Sequence, residues 1–285
     1  MSAGLNEAVE RYYDTTLDLY ESLWGEHVHH GYWDPADGAD RHAATDRLVH
    51  ELARFAAVPS GATVLDVGCG IGGPALYLAG DLGCTVEGVT LSAEQVARAR
   101  EKAAAAGVAD RARFRQLDAL HNDYPDGSFD VVWAMESLMH IADRAAFFAE
   151  AWRLLRPGGL LAVGTWAVRD GARTDVEEKL VQQILYHQVF PSLSSIEEHA
   201  ALCRAAGFTG VGTADWSDAV SRTWDPDTSV IPTGSRGAST MAELARERGV
   251  EVLGFFHAAG LMSKGYRSGV VRWGALRATK PAGAP

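Results

Sequence analysis

Thr63-Val64-Leu65-Asp66-Val67-Gly68-Cys69-Gly70-Ile71-Gly72-Gly73 decides how this chain folds. Thr63–Val67 is a short apolar, β-branched run and reads as a buried strand. It passes at once into Pro74-Ala75-Leu76-Tyr77-Leu78-Ala79, a helix with proline in its first turn. A strand that turns directly into a helix needs backbone without Cβ. A ligand lying on such a turn needs close approach to bare N–H groups.

The spacing of the glycines satisfies two patterns. Gly68-x-Gly70-x-x-Gly73 fits the dinucleotide fingerprint, and Asp66-x-Gly68-x-Gly70-x-Gly72 fits a nucleoside-binding turn of the methyltransferase type. A tight turn with no ligand is the third reading.

Composition narrows the function classes. The chain has 285 residues, enough for one large α/β domain or one domain with an inserted cap. Its formal net charge is −11 and no run of Lys or Arg interleaves with aromatics, which argues against a nucleic-acid partner. Three scattered cysteines, Cys69, Cys84 and Cys203, make neither a disulfide framework nor a zinc site. His27, His29 and His30 invite a metal reading, but no acidic or cysteine partner follows at ligand spacing, so no metal is expected. No stretch has the length to span a bilayer and Met1–Asn6 does not read as a signal peptide; the expectation is a cytoplasmic protein.

Working outward, Glu7–Leu23 has helical spacing with an aromatic face, and Thr45–Phe55 is an amphipathic helix. After the glycine turn strand and helix alternate. Thr85–Val89 is strand two, and Ser92 caps a helix through Ala105. Arg113–Leu117, Phe129–Trp133 and Leu160–Thr165 follow as strands, with a helix over Ala142–Leu155 stopped by Arg156-Pro157-Gly158-Gly159. That alternation predicts a parallel sheet with helices on both faces and polar clusters at the strands' carboxyl ends. Beyond Trp166, Asp175–Val189 and Ser195–Ala206 read as helices, and Val211–Trp216 and Gly269–Thr279 as strands. Ser221–Ser239 reads as loop or cap, and Met241–Met262 as an interrupted helix.

The tip of strand two distinguishes the nucleosides. A dinucleotide site wants an acid there for the ribose, but Glu87 lies inside the strand and Thr90 is at its end. LDVGCGIGGPALYLA, VEGVTLSAEQVARAR, LDALHNDYPDGSFDVVWAMESLMHI and LLRPGGLLAVGTW, in that order, resemble class I S-adenosylmethionine-dependent methyltransferases. The Thr-Leu-Ser variant resembles the subgroup of tocopherol, sterol, cyclopropane-fatty-acid and natural-product enzymes. WGEHVHHGYWDP is similar to N-termini of tocopherol-type and sugar O-methyltransferases.

The resemblance implies an α/β, Rossmann-like fold with a mostly parallel central sheet. It implies a helical N-terminal lid over 1–58 and a core over 59–285, with an acceptor-binding cap insertion around 170–262. Asp66, Gly68, Gly70 and Gly72 would line the methionine and ribose of S-adenosyl-L-methionine. Thr90, Leu91 and Gln95 would sit by the ribose, Asp118, Ala119 and Leu120 by the adenine, and Met135 by the methionine tail.

Methyl transfer needs an aligned nucleophile, exclusion of water and, for a hydroxyl, removal of a proton. His140 is the candidate general base. Glu136 either fixes the loop after strand four or sits beneath the acceptor as base or cation stabiliser. Tyr13, His30, Tyr32, Trp166 and Tyr186 are the acceptor candidates, part of an aromatic set that suggests a chamber for a bulky apolar molecule. A small secondary metabolite methylated on a hydroxyl is expected. Carbon methylation of an isoprenoid or prenyl diphosphate is the close alternative. A nicotinamide-dependent oxidoreductase, and a non-catalytic or cyclase protein that keeps the cofactor, are remoter. The sequence leaves a homo-oligomer open.

Overall fold

In the computed structural model the described residues are 2–25, 27–34, 40–225, 246 and 251–283. Seven strands form one sheet in the order β3-β2-β1-β4-β5-β7-β6: β1 (Thr63–Val67), β2 (Thr85–Thr90), β3 (Ala112–Gln116), β4 (Phe129–Met135), β5 (Leu155–Val168), β6 (Thr209–Asp215) and β7 (Val271–Thr279). The first five run parallel, and β7 is antiparallel to both β5 and β6. Val64, Leu65, Val131, Val132, Leu161, Ala162 and Val163 are buried on both faces of the central strands. That is why these segments read as continuous apolar runs rather than as alternating ones.

Helices cover both faces: α1 (Ser2–Trp24), α2 (Arg41–Ala56), α3 (Gly73–Gly80), α4 (Ala93–Ala105), α5 (Arg144–Leu154), α6 (Asp175–Gln188), α7 (Ile196–Ala205), the short α8 (Ser217–Ser221) and α9 (Glu251–Ser268). Their starts follow local chemistry. Ser92 accepts from the Gln95 N–H, and Asp143 from the Ala146 N–H. Thr174 with Glu177 and Ser195 with Glu198 make full capping boxes. At the end of α5, Lys280 Nζ on the neighbouring chain segment donates to the Trp152 and Leu155 carbonyls at 3.0 Å, satisfying two groups the helix leaves open.

Within the expected lid of 1–58, Ala44, Leu48, Val49 and Leu52 of α2 are buried as part of the main core. Among its described residues, those that line the cavity described below belong to α1 and to His27–His29 after it. The expected cap insertion around 170–262 contains β6, the sheet's edge strand. The expected loop over 221–239 and the first part of the helix over 241–262 fall almost wholly outside the described residues.

The chain winds from β1 outward to β3, then returns to β4 on the other side of β1. At that reversal the turns above β1 and β4 diverge and leave a crevice at the carboxyl ends, where open α/β sheets bind ligands.

Candidate functional site

A cavity of about 610 Å³ occupies that crevice. It is lined by the residues following β1 (Val67–Ile71), β2 (Val89–Ser92), β3 (Leu117–His121) and β4 (Met135–Ser137), and by His140. α1 roofs it through Leu5, Asn6, Val9, Glu10 and Tyr13, and the strap after α1 adds His27, Val28 and His29.

Ten of the eleven residues expected at the cofactor line this cavity: Asp66, Gly68, Gly70, Thr90, Leu91, Gln95, Asp118, Ala119, Leu120 and Met135. Gly72 does not. It begins α3 at φ 88°, and a Cβ there would meet Phe114 and Ala99 at 3.0–3.2 Å, so its smallness serves helix–sheet packing. At Gly70, with φ 52°, a Cβ would enter open space, which leaves bare backbone facing the cavity.

Asp66 is 1% exposed, and its buried Oδ2 has no hydrogen-bond partner among the described residues. Burial pushes its carboxyl up to about 7. A buried carboxylate in need of a cation suits the ammonium group of an amino-acid tail. At the β2 tip, Thr90 Oγ1 donates to Gln95 Oε1 at 2.6 Å. Asp118 accepts from the Leu120 N–H at 2.9 Å, from Asn6 Nδ2 at 2.8 Å and from His121 Nδ1 at 2.9 Å. These donors fix the Asp118 carboxylate at the cavity rim, where it can accept from a ligand's N–H or O–H. The chain's own residues therefore fit an aminoacyl nucleoside.

Beyond the glycine turn a one-turn 3₁₀ helix, Leu138–His140, carries His140 to the cavity wall. Its Nε2 lies 2.9 Å from the Tyr13 hydroxyl. Burial lowers the imidazole to about 4, with the Val189 backbone opposing, so the ring is neutral near pH 7.

Glu136 resolves differently from an acceptor base. It takes φ 49°, rare for a residue with a side chain, and so turns its carboxylate inward. Oε1 accepts from the His30 N–H at 3.1 Å, His30 Nδ1 at 2.9 Å and Trp273 Nε1 at 2.7 Å, and Oε2 accepts from Trp166 Nε1 at 2.9 Å. Trp224 Nε1 donates to His30 Nε2 at 2.6 Å. An indole N–H only donates, so His30 Nε2 accepts there while Nδ1 faces Glu136. Burial alone would raise the Glu136 carboxyl, but the His30 contact leads the donors that more than offset it. Both oxygens are committed, and Glu136 ties the strap and β4, β5 and β7 together.

The acceptor candidates divide. Tyr13 lines the main cavity. His30 and Trp166 line only a side chamber of about 30 Å³, together with Tyr13, Glu136, Phe190 and Trp224. Tyr32 packs edge-on against Trp216 at 5.4 Å and lines neither. Tyr186 is 79% exposed on α6. The rings expected to wall an open chamber largely satisfy one another instead: Trp216 stacks on Trp273 at 5.4 Å, and Trp166 meets His30 at 4.9 Å.

Among the described residues no group of three or more His, Cys, Asp or Glu could hold a metal ion. The histidines of the strap bond otherwise. His27 Nε2 is 2.8 Å from Asp46, and His29 bonds His27 and the His30 carbonyl. Sequence reasoning missed Asn6 and Glu10 at the cavity, and Trp273 and Tyr266 in the buried network. The i, i+4, i+7 spacing of Asn6, Glu10 and Tyr13 was a usable signal. Nothing local marked Trp273, which reaches Glu136 only through sheet order.

A methyltransferase domain model matches residues 65–163. The tocopherol O-methyltransferase of Arabidopsis thaliana is 33% identical over 98% of this chain and 83% of its own length. This chain belongs to the class I S-adenosylmethionine-dependent methyltransferases. The 27-O-demethylrifamycin SV methyltransferase of Amycolatopsis mediterranei is 40% identical to the methyltransferase over 74% of this chain and 77% of its own. Among solved structures, the crystal structure of the 4+2 cyclase SpnF superposes with a TM-score of 0.83 at 30% identity, covering 98% of this methyltransferase and 97% of that chain. The enzyme's cofactor is S-adenosyl-L-methionine.

Proposed function

We propose that this methyltransferase methylates a hydroxyl oxygen of a small, largely apolar metabolite, with His140 receiving the hydroxyl proton. The observation that carries the reading is the Tyr13–His140 contact. A phenolic hydroxyl already sits 2.9 Å from Nε2 inside the cavity, in the relation an acceptor hydroxyl would take. Tyr13 would yield that place when the acceptor enters.

The cofactor, when bound, supplies an electrophilic methyl on a sulfonium. The chain supplies the rest. Asp66 would hold the ammonium of the amino-acid tail, and Gly70 would offer its backbone N–H to the tail carboxylate. Gly68, whose own N–H bonds the Val89 carbonyl at 2.8 Å, would keep the turn close to it, and Asp118 and Leu120 would hold the base. Thr90, Leu91, Gln95, Ala119 and Met135 would shape the walls. α1 and the strap exclude water. An imidazole held near 4 is a weak base, but it suffices, because an oxygen that is being alkylated becomes strongly acidic as the new bond forms.

The cavity's charge speaks against a diphosphate acceptor. Its described lining includes Glu10, Asp66, Asp118, Glu136 and Asp143, and no lysine or arginine. No basic side chain of this described lining would bind a diphosphate's charge. This favours neutral alcohols and phenols over prenyl diphosphates.

Incubation with methyl-deuterated S-adenosylmethionine and a panel of apolar phenols and alcohols tests the reading. An O–CD3 product that disappears in His140→Ala is expected. Deuterated methyl on carbon, or cofactor binding with no S-adenosylhomocysteine formed from any acceptor, would reject it.

A further inference from the structure

The strand-two acid is missing from its usual place. β2 ends in Thr90, and the carboxylate within the strand, Glu87, accepts from the Tyr124 hydroxyl at 2.8 Å, away from the cavity. A carboxylate nevertheless stands at that tip, delivered by another element. Glu10 of α1 lines the cavity, and its Oε1 accepts from Gln116 Nε2 at 3.0 Å. Gln116 is the last residue of β3 and lies opposite Thr90 in the parallel register. The same Nε2 donates to the Leu91 carbonyl at 2.9 Å, which pins Glu10 beside the β2 tip.

Its neighbours on α1 support the placement. Asn6, one turn earlier, donates to Asp118 at the end of β3, and Tyr13, one turn later, contacts His140. Residues spaced i, i+4 and i+7 share one helix face, and all three line the cavity. Asp14, the next acid on α1, is engaged by the Ser92 hydroxyl and does not line the cavity.

We infer that Glu10 supplies the carboxylate for the cofactor's ribose hydroxyls, in place of the absent strand-two acid. The inference rests on the seating of S-adenosylmethionine in this cavity proposed above. A vicinal diol offers two O–H donors; Gln116 engages one carboxylate oxygen and leaves acceptor capacity on the other. The helix that roofs the cavity thereby completes the nucleoside site. Cofactor binding and docking of α1 must strengthen each other by the same factor.

Calorimetric titration of the full chain with S-adenosylhomocysteine and with its 2′,3′-dideoxy analogue tests the assignment. Glu10→Gln keeps an amide oxygen for Gln116, so α1 stays docked while the charge is removed. Affinity for S-adenosylhomocysteine should fall roughly tenfold to a hundredfold, the range for a hydrogen bond to a charged group. Affinity for the dideoxy analogue should be the same in both proteins. An unchanged affinity for S-adenosylhomocysteine, or an equal loss for both ligands, would overturn the role of Glu10. A wild-type chain that binds neither ligand would overturn the seating on which the inference rests.

Discussion

At the scale of single residues, Asp66 and His140 carry opposite consequences of burial. Asp66 titrates near 7 in the folded chain, above the usual carboxylate range. Its contribution to stability is therefore full below about pH 4 and is lost as pH rises through 7. Asp66→Asn should stabilise the cofactor-free protein at pH 8, on the order of 2–4 kcal/mol, measured by urea unfolding. The same variant should bind S-adenosylhomocysteine far more weakly. In the wild type, binding an ammonium at Asp66 must expel its proton. Titrations in buffers of different ionisation enthalpy should show proton release near pH 6, and affinity falling as pH drops below 7. His140 has the reverse sign, being neutral above about pH 4. Turnover should show no histidine inflection between pH 6 and 7. His140→Ala should lower kcat by ~10²–10⁴ with KM little changed; a rise in KM alone would make His140 a binding residue.

Among the elements, the loop after β4 depends on a carboxylate held by N–H donors. In Glu136→Gln one oxygen becomes an amide NH₂. With Oε1 kept for His30 and Trp273, that NH₂ faces the Trp166 N–H, two donors with no acceptor between them. A loss of about 1–3 kcal/mol is expected in thermal or urea unfolding. Adding Trp166→Phe should recover part of it, because the clashing N–H is gone. Additive losses in the double variant would contradict the network. The left-handed backbone at Glu136 follows from the same demand, since a side chain directed to solvent would not need φ 49°.

For the whole molecule, buried histidines set the acid limit. Burial lowers His29 and His199 to about 3 and His140 to about 4. An unfolded chain takes up those protons near pH 6.5, so their contribution is intact above that range and fades as pH falls toward 4. Three histidines outweigh the single opposing effect of Asp66. Unfolding midpoints should decline over this window, and less steeply in His199→Gln. Much of the fold was legible because local chemistry and global arrangement agree. β1 starts and stops where its apolar run and glycines say, and Ser92 caps α4 as its side chain allows. The cavity floor followed from those turns. A lid from the N-terminal segment was expected, but not that Asn6 and Glu10 meet the cavity. Spacing groups them with Tyr13 on one face of α1, and only partners such as Gln116 and Asp118, more than 100 residues away, turn that face inward. The aromatic set misled for a related reason: composition counts rings, while only the sheet order reveals that Trp216 is stacked on Trp273. The central claim is a hydroxyl methylated beside His140 over the β1–β4 turns. Its most direct measurement is the position of the label when methyl-deuterated S-adenosylmethionine is turned over with an apolar hydroxyl acceptor. The account predicts an O–CD3 product with one equivalent of S-adenosylhomocysteine; a C–CD3 product, or a rearranged acceptor with the cofactor intact, would contradict it.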